Sequence, residues 1–271
     1  MARCYECGLP DTYDTIKLTG GKCNMCHDRE LKQYMQCVRP VILCRGNEVY
    51  QGEEFNPKKK VGSLADVLFK LKEDGVTDAI LFSLDGLIHY DIALIACSFG
   101  IELTIGGGVK DMDDAGQLFR AGAARVAINE GLSGSPGVDL LEDASSKWGN
   151  ISAVIDVKNG LVTQQKQCLE LLSTTPPVWA HRLQTRGATE IILQCVDREG
   201  TKRGYDHNLI RQVCTAVRVP VVCVGGMRGA ADAGDAYFDS GADVCGYSEV
   251  GVEGCLPPSV VARELRNRTL L

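Results

Sequence analysis

Four cysteines near the N-terminus have the spacing of a metal site. They form two Cys-x-x-Cys pairs, Cys4 with Cys7 and Cys23 with Cys26, and fifteen residues separate the pairs. Each pair can bind one side of a cation, and the connection is long enough for the pairs to meet as a tetrahedral thiolate site. We expect a structural Zn²⁺ site within a small domain of residues 1–36, where the metal supplies much of the folding free energy. The alternative is a pair of redox motifs, but neither pair stands at a strand-to-helix turn of a thioredoxin-like unit.

Two glycine turns could bind anions. Gly106-Gly107-Gly108 and Gly225-Gly226 each follow a short apolar run and precede an amphipathic one. Glycine lets backbone N–H groups approach an anion closely, and a following helix N-terminus favours negative charge. The pair of turns therefore indicates a ligand with a phosphate at each end. The alternative is that the glycines only allow tight turns.

These groups need elements that hold them, and the chain from Val38 onward alternates short apolar runs with longer amphipathic ones. Eight βα units over residues 37–271 predict a closed (β/α)8 barrel, with an open doubly wound sheet as the alternative. The predicted strands are Val38–Leu43, Ala79–Phe82, Leu103–Ile105, Arg125–Ile128, Ala153–Val157, Ile191–Gln194, Val221–Val224 and Val244–Tyr247. The predicted helices lie near residues 62–74, 87–99, 111–121, 135–147, 178–187, 206–217, 230–240 and 258–267.

An internal repeat favours the barrel. The run beginning Thr104-Ile-Gly-Gly-Gly-Val returns as Cys223-Val-Gly-Gly-Met-Arg, at an offset of about 119 residues. Two fused (βα)4 halves explain this offset. In such a barrel the reactive groups belong at the C-terminal ends of the strands.

Composition excludes several classes of protein. The chain has 271 residues, 45% hydrophobic and 24% charged, which is typical of a folded globular protein. Its net charge of −6 and the lack of a long basic run argue against nucleic-acid binding, and Lys58–Lys60 is expected to be a solvated loop. No apolar stretch is long enough to span a membrane and no signal peptide is recognised, so we expect a cytoplasmic protein.

Several motifs resemble the cyclase subunit of imidazole glycerol phosphate synthase. These are Thr104-Ile-Gly-Gly-Gly-Val, Val154-Ile-Asp-Val-Lys158 and the long run from Asp197 to Asp206. The resemblance covers the chain from about Val38 and implies a duplicated half-barrel. It also implies a partner glutaminase whose ammonia passes through the barrel to the C-terminal face. The phosphate-binding residues it implies are Gly107, Gly108, Asn129, Gly200, Gly225, Gly226 and Ser248.

The sequence departs from the cyclase pattern at the catalytic positions. The cyclase uses two aspartates; Asp156 matches the second, whereas the first falls on Leu43. Losing one of two cooperating acid–base groups removes a factor of about 10²–10⁴, so efficient ring closure is not expected. Asp85, one residue beyond the expected end of strand two, is a candidate partner if the register shifts. Glu130 and Glu249 stand beside the phosphate positions and would repel a bisphosphate unless they turn away.

Two further resemblances concern partners. The cysteine segment resembles the metal-binding start of N-acetyl sugar amidotransferases, which favours the branch of the cyclase family that accompanies acetamidino modification of surface-polysaccharide sugars. Arg125 and Glu190 match two of the charged positions at the family's ammonia entrance, and the other two fall on Cys37 and Ala79, beside Arg39 and Asp78. Three hypotheses follow: an ammonia-conducting component of an amidotransferase system, a divergent cyclase or lyase, and a non-catalytic assembly protein.

Overall fold

A computed structural model describes residues 2–3, 10–11, 31–54, 56–129, 135–164, 170–171, 174–248 and 256–269. The four cysteines of the predicted zinc site lie outside these residues, as do Glu130 and Glu249. Near the N-terminus, Ala2–Arg3 pairs antiparallel with Pro10–Asp11. Residues 31–35 are helical and lead into the first strand of the main domain.

Eight parallel strands form a closed barrel. Each strand pairs with the next along the chain, and the eighth pairs with the first through Cys245 and Val38. This closure confirms the predicted barrel and shows that the alternative prediction, an open doubly wound sheet, was wrong. The strands are β1 Val38–Arg45, β2 Asp78–Ser83, β3 Glu102–Gly106, β4 Arg125–Ile128, β5 Ile151–Lys158, β6 Glu190–Cys195, β7 Val221–Val224 and β8 Val244–Tyr247.

Helices follow the strands on the outside of the barrel. Their bounds are α1 Leu64–Glu73, α2 Tyr90–Cys97, α3 Met112–Arg120, α4 Ser135–Trp148, α5 Pro176–Thr185, α6 His207–Ala216, α7 Ala230–Gly234 and α8 Pro258–Thr269. A π-helical turn, Asp235–Asp239, continues α7. Each helix lies where the amphipathic pattern predicts it.

The first strand of each half is extended by antiparallel strands. Glu48–Glu53 pairs with β1 and with Asn56–Ser63, while Leu161–Gln164 pairs with β5. The sequence did not predict these strands, because they carry few apolar side chains. The expectation that Lys58–Lys60 is a loop was wrong: the three lysines are solvent-exposed, but they lie on the strand Asn56–Ser63.

Alternation along the strands creates two apolar cores. Side chains such as Ile42 and Leu81 point outward and pack beneath the helices. Their neighbours point into the barrel, where Val41, Ile80 and Ile192 are fully buried. Because successive side chains of a strand face opposite sides, every second residue belongs to one of a few layers inside the barrel. Polar residues occupy the layers at its two ends.

The two halves repeat the same turn after their third strand. The N–H of Lys110 donates to Asp114 Oδ2 over 2.9 Å, and the N–H of Arg228 donates to Asp232 Oδ2 over 3.0 Å. The two equivalent turns therefore lie 118 residues apart in the chain, close to the offset of about 119 residues estimated from the sequence.

The glycines of these turns satisfy a backbone requirement. Gly107 has φ +91° and Gly225 has φ +101°, a region that L side chains rarely adopt. A Cβ atom would lie 2.6 Å from the carbonyl oxygen of Ser83 at the first and 2.4 Å from that of Cys195 at the second. Each glycine thus lets its turn pack on the end of the neighbouring strand, whether or not it also meets a ligand.

Candidate functional site

A cavity of about 700 Å³ opens at the C-terminal end of the barrel. The ends of strands β1 to β6 form its wall, with apolar groups on the first two strands and polar groups on the fourth to sixth. Its lining includes Leu43, Phe82, Ser83, Leu84, Gly107, Gly108, Ala127, Asn129, Val154, Asp156 and Gln194. The sequence predicted four of these residues as functional: Gly107, Gly108, Asn129 and Asp156.

Three polar side chains, Asn129, Asp156 and Gln194, form one wall of this cavity. Asp156 is 6% exposed, and its Oδ2 accepts a hydrogen bond of 2.6 Å from Asn129 Nδ2. Gln194 is 2% exposed, and its Nε2 has no hydrogen-bond partner among the described residues. The wall therefore presents a carboxylate acceptor and an amide donor to a bound molecule. Gln194 was not predicted from the sequence, although its position at the end of an apolar strand was a usable signal.

The position of the missing aspartate is filled by a leucine. Leu43 lines the cavity together with Asp156, and Asp156 is the one carboxylate among the lining residues that the structure describes. Asp85 lies outside the lining, and its Oδ1 accepts a 2.8 Å hydrogen bond from Arg45 Nε, with both side chains about half exposed. The inward register considered for Asp85 is therefore not adopted, because its carboxylate pairs with Arg45 at the surface.

A second cavity, of about 720 Å³, lies at the loops after β6, β7 and β8. It contains the predicted residues Gly200, Gly225, Gly226 and Ser248, together with Lys202 and Arg228. The Ser248 hydroxyl donates to Glu199 Oε1 over 3.1 Å. Lys202 and Arg228 were not predicted from the sequence, although both lie within or beside glycine-rich runs.

A third cavity, of about 520 Å³, shares Gly200 and Ser248 with the second. The hairpin that follows β1 forms its other wall through Lys58 and Lys59. Gly200 allows the hairpin to approach: a Cβ atom there would lie 2.1 Å from the carbonyl oxygen of Gly52. The second and third cavities are thus neighbours that share these two lining residues.

The N-terminal end of the barrel is crossed by a chain of ion pairs. Arg39 contacts Glu190 over 2.7 Å and Asp78 over 2.9 Å, and Arg125 contacts the same oxygen of Asp78 over 2.5 Å. The second oxygen of Glu190 accepts a 2.7 Å hydrogen bond from Ser152. We call Arg39, Asp78, Arg125 and Glu190 the mouth network. The structure thus brings Arg39 and Asp78 together with the two residues that the sequence placed at the mouth.

Burial makes this network sensitive to the loss of a partner. The side chains of Arg39 and Glu190 are 5% and 7% exposed. Burial raises the pKa of Asp78 above its ordinary value, although the charges of Arg39 and Arg125 act to lower it. Ionised Asp78 therefore depends on both arginines to offset the cost of its desolvation.

An apolar layer separates the mouth network from the C-terminal cavity. It includes Val41, Ile80, Ile192 and Val222, all fully buried. None of the four residues of the mouth network lines the cavity. A small molecule that entered at the mouth would have to displace the ion pairs and then cross this layer.

One His/Asp cluster lies apart from the cavities. His207 bonds Asp232 Oδ1 and Ser240 Oγ, each over 3.0 Å, and Asp235 lies close enough to share a cation. Asp232 Oδ2 accepts from two backbone N–H groups, and Arg268 pairs with Asp235 over 2.7 Å. These partners give the cluster a structural role in joining α6 to α7.

Among the described residues, no helix is long and apolar enough to cross a membrane.

Comparison with known proteins agrees with this architecture. The imidazole glycerol phosphate synthase subunit HisF of Alkaliphilus metalliredigens (strain QYMF) is 32% identical over 169 residues, which are 56% of this chain and 64% of that protein. The chain therefore spans less than two thirds of the length of this curated relative. Residues 38–245, which contain the barrel from β1 into β8, match the model of the family described as "Histidine biosynthesis protein". The chain belongs to the histidine biosynthesis protein family.

Proposed function

We propose that this chain is the barrel component of a glutamine-dependent amidotransferase system. In this proposal a glutaminase docks at the N-terminal end of the barrel, and ammonia passes the mouth network to reach the C-terminal cavity. The observation that carries the proposal is the alignment of these two sites on one barrel axis, with charged residues at one end and Asp156 at the other.

The chemistry of the mouth network suits control of entry. Its buried ion pairs block the axis while they are closed, and the apolar layer above them favours neutral ammonia over ammonium, because an unpaired cation is costly to bury. A docked glutaminase that reorganised Arg39 and Arg125 would open the route. Coupling of this kind between two sites is typically worth about 5- to 150-fold in affinity or activity.

The composition of the cavity argues against the ring closure of the ancestral cyclase. Ring closure by two cooperating carboxylates needs a second acid or base beside Asp156, and Leu43 supplies none. Asp156 is retained with an ordered partner, Asn129, so the cavity can still orient a ligand and accept a proton. We therefore assign Asp156 the positioning of the molecule that receives ammonia.

The finer assignment is to acetamidino modification of a surface-polysaccharide sugar, with a sugar amidotransferase as a further partner. Its support is the combination of Leu43 at the aspartate position with an N-terminal cysteine segment of the type seen in N-acetyl sugar amidotransferases. Delivery of ammonia to an amide carbonyl would fit the donor and acceptor that Gln194 and Asp156 present.

The test is to purify the tagged full chain from its native host, identify any glutaminase bound to it, and reconstitute the pair. We expect the barrel chain to stimulate glutamine hydrolysis about 5- to 150-fold, and Arg125→Gln to change that stimulation. Arg186→Gln, which removes an exposed ion pair with Glu142, should leave it unchanged. Imidazole formation with ammonium salts, abolished by Asp156→Asn, would instead assign a divergent cyclase. Absence of both activities would leave an assembly role.

We also propose that Cys4, Cys7, Cys23 and Cys26 hold a structural Zn²⁺, because a closed four-thiolate site leaves no open position for catalysis. Metal analysis of the purified chain should give about one zinc ion per chain. Cys4→Ser should lower that ratio, whereas Cys97→Ser in α2 should not. Equal zinc content in both variants would contradict the assignment.

A further inference from the structure

The outer surface of α2 is apolar, whereas the outer surface of a barrel helix is normally polar. We infer that this surface is the interface of a homodimer, in which α1 and α2 of one copy pack antiparallel against α1 and α2 of a second copy about a two-fold axis. Pairing at the side of the barrel leaves both ends of each barrel open, so the dimer is separate from the proposed ammonia route and goes beyond it.

Helix α2 lacks the polar outer face of an ordinary surface helix. Asp91 is its one charged residue, and two fully buried alanines, Ala93 and Ala96, face the barrel. The larger residues Leu94 and Ile95 are 48% and 54% exposed. A surface helix normally has an apolar stripe on one side and polar residues on the other, and a helix that is apolar all round is normally buried. We therefore expect a second apolar surface to cover α2.

The exposed apolar side chains of this region lie together. Tyr90 and Leu94 are one turn apart on α2, and Phe69 lies on the neighbouring helix α1. Lys72, one turn after Phe69, has its Nζ 3.9 Å from the position of a Cβ at Gly100, just beyond the end of α2, so this side of α1 faces α2.

We call this group the α2 patch. Four of the seven large hydrophobic side chains that are exposed among the described residues belong to it: Phe69, Tyr90, Leu94 and Ile95. Hydrophobic side chains exposed singly are ordinary on a protein surface, whereas a group on two adjacent helices is typical of an interaction surface.

The charges around the patch point to a second copy as its occupant. Each helix follows a parallel strand, so α1, α2 and α3 run in the same direction and their first turns share one edge of the surface. These first turns are acidic, with Asp66, Asp91, Asp113 and Asp114. The last turns of α1 and α3 carry Lys70, Lys72 and Arg120, against one acidic residue, Glu73.

A two-fold axis perpendicular to the helices brings these edges together in opposite pairs. The acidic edge of each copy then lies on the basic edge of the other, with Asp91 opposite the partner's Lys72 and the same contact repeated by symmetry. A partner of uniform charge, such as an anionic membrane surface, would complement one edge and be repelled by the other. The pattern of charge is therefore self-complementary.

The size of the patch indicates how tight the dimer should be. In an isologous interface every residue is used twice, so the patch of each copy packs on the patch of the other. A core of four large side chains from each copy is small compared with the interfaces of obligate dimers. We therefore expect a dimer in measurable equilibrium with the monomer.

The test is sedimentation velocity of the full chain at concentrations from about 1 to 100 μM, where a small interface should dissociate. We expect a species of about twice the chain mass of 29.3 kDa, whose share rises with concentration. Leu94→Asp and Ile95→Asp should each raise the dimer Kd at least about tenfold, because dimerisation would bury an unpaired carboxylate. Val178→Asp is the matched control: Val178 on α5 is 62% exposed and lies outside the patch, so the Kd should not change.

Reversal of charge tests the two-fold arrangement. Asp91→Lys and Lys72→Asp should each raise the Kd, because each places like charges opposite one another at both ends of the interface. The two substitutions together exchange the charges and should restore the Kd of the unchanged chain. Rescue of this kind requires that the two residues face each other across the interface.

Three results would overturn the inference: a monomer over the whole concentration range, a dimer whose Kd is the same in Leu94→Asp and Ile95→Asp, or a double reversal that fails to restore dimerisation. Circular dichroism spectra of the variants separate lost dimerisation from lost folding, and Phe69→Ser on α1 is a second variant if a change in α2 prevents folding. The measurement uses this chain alone, so its outcome is independent of the stimulation of a glutaminase.

Discussion

Replacing Arg39 with methionine should expose how much the fold depends on the mouth network. Methionine keeps an unbranched apolar stem but removes the guanidinium that contacts Glu190 over 2.7 Å and Asp78 over 2.9 Å. Asp78 would retain Arg125, whereas Glu190 would retain, among the described residues, only the hydroxyl of Ser152. The variant therefore leaves a buried carboxylate without its counter-ion.

The size of the stability loss depends on how deeply the ion pair is buried. Removing one partner of a buried ion pair typically costs about 3–5 kcal/mol, and we expect Arg39→Met to lower the free energy of unfolding by about that amount at pH 7. The control is Arg186→Met, whose pair with Glu142 has the same 2.7 Å separation but side chains that are 43% and 55% exposed. An exposed pair contributes about 0–1 kcal/mol. Because the two ion pairs have the same length, the difference between the two losses in free energy of unfolding reports the effect of burial.

The assay is urea-induced unfolding of the full chain, comparing midpoints at equal slope. We also expect the stability deficit of Arg39→Met to depend on pH. Asp78 already has a raised pKa, and loss of the Arg39 charge raises it further. A carboxyl whose pKa is higher in the folded than in the unfolded state takes up protons preferentially on folding, so the deficit of the variant should shrink as pH falls from 7 towards 5.

Two results would refute this reasoning: a loss below about 1 kcal/mol, equal to the exposed control, or a deficit that grows as pH falls. A double variant tests the partner directly. Adding Glu190→Gln to Arg39→Met should restore part of the stability, because a neutral amide replaces the unpaired carboxylate.

Two further expectations follow from the backbone and the thiols. Gly225→Ala should lower the free energy of unfolding by about 1–3 kcal/mol or more, because φ is +101° and the new Cβ would lie 2.4 Å from the Cys195 carbonyl oxygen. The control variant Gly62→Ala should not lower it, because a Cβ at Gly62 has no atom within 4 Å. Equal shifts of the melting temperature in the two variants would contradict this expectation. Burial raises the pKa of Cys97 to about 11 and that of Cys44 to about 12. Alkylation of Cys97 in the folded protein at pH 8 should therefore be roughly 100-fold slower than alkylation of a free thiol, and its rate should rise about tenfold per pH unit. Peptide mapping measures this rate. Reaction of Cys97 at the rate of a free thiol would contradict the raised pKa.

The barrel could be predicted because its signals are local and repeated. Parallel strands buried on both faces appear as continuous apolar runs, such as Val221–Val224, and each is followed by an amphipathic helix. The repeated glycine turns then separate a closed barrel from an open sheet. Even the mouth residues Arg39 and Asp78 were identifiable, since they lie beside the positions expected to be charged.

The features that were not predicted depend on contacts distant in sequence. The hairpin Glu48–Ser63 carries exposed lysines that pair with glutamates across its strands, so it lacks the apolar alternation that indicates a strand. The inward position considered for Asp85 could not be judged without knowing that Arg45 stands beside it. Gln194 is a similar case, because its importance comes from lacking a hydrogen-bond partner in the fold.

The mouth network also bears on how the duplicated gene halves now relate to each other. Arg39, Asp78 and Arg125 come from the first half and Glu190 from the second, so the salt bridge between Arg39 and Glu190 links products of the ancestral duplication across the barrel floor. A protein made by repeating the second half alone would bring two copies of Glu190 to that floor with no arginine from β1 or β4 to neutralise them. In this network the halves are complementary, because the first supplies both arginines and the second supplies the glutamate.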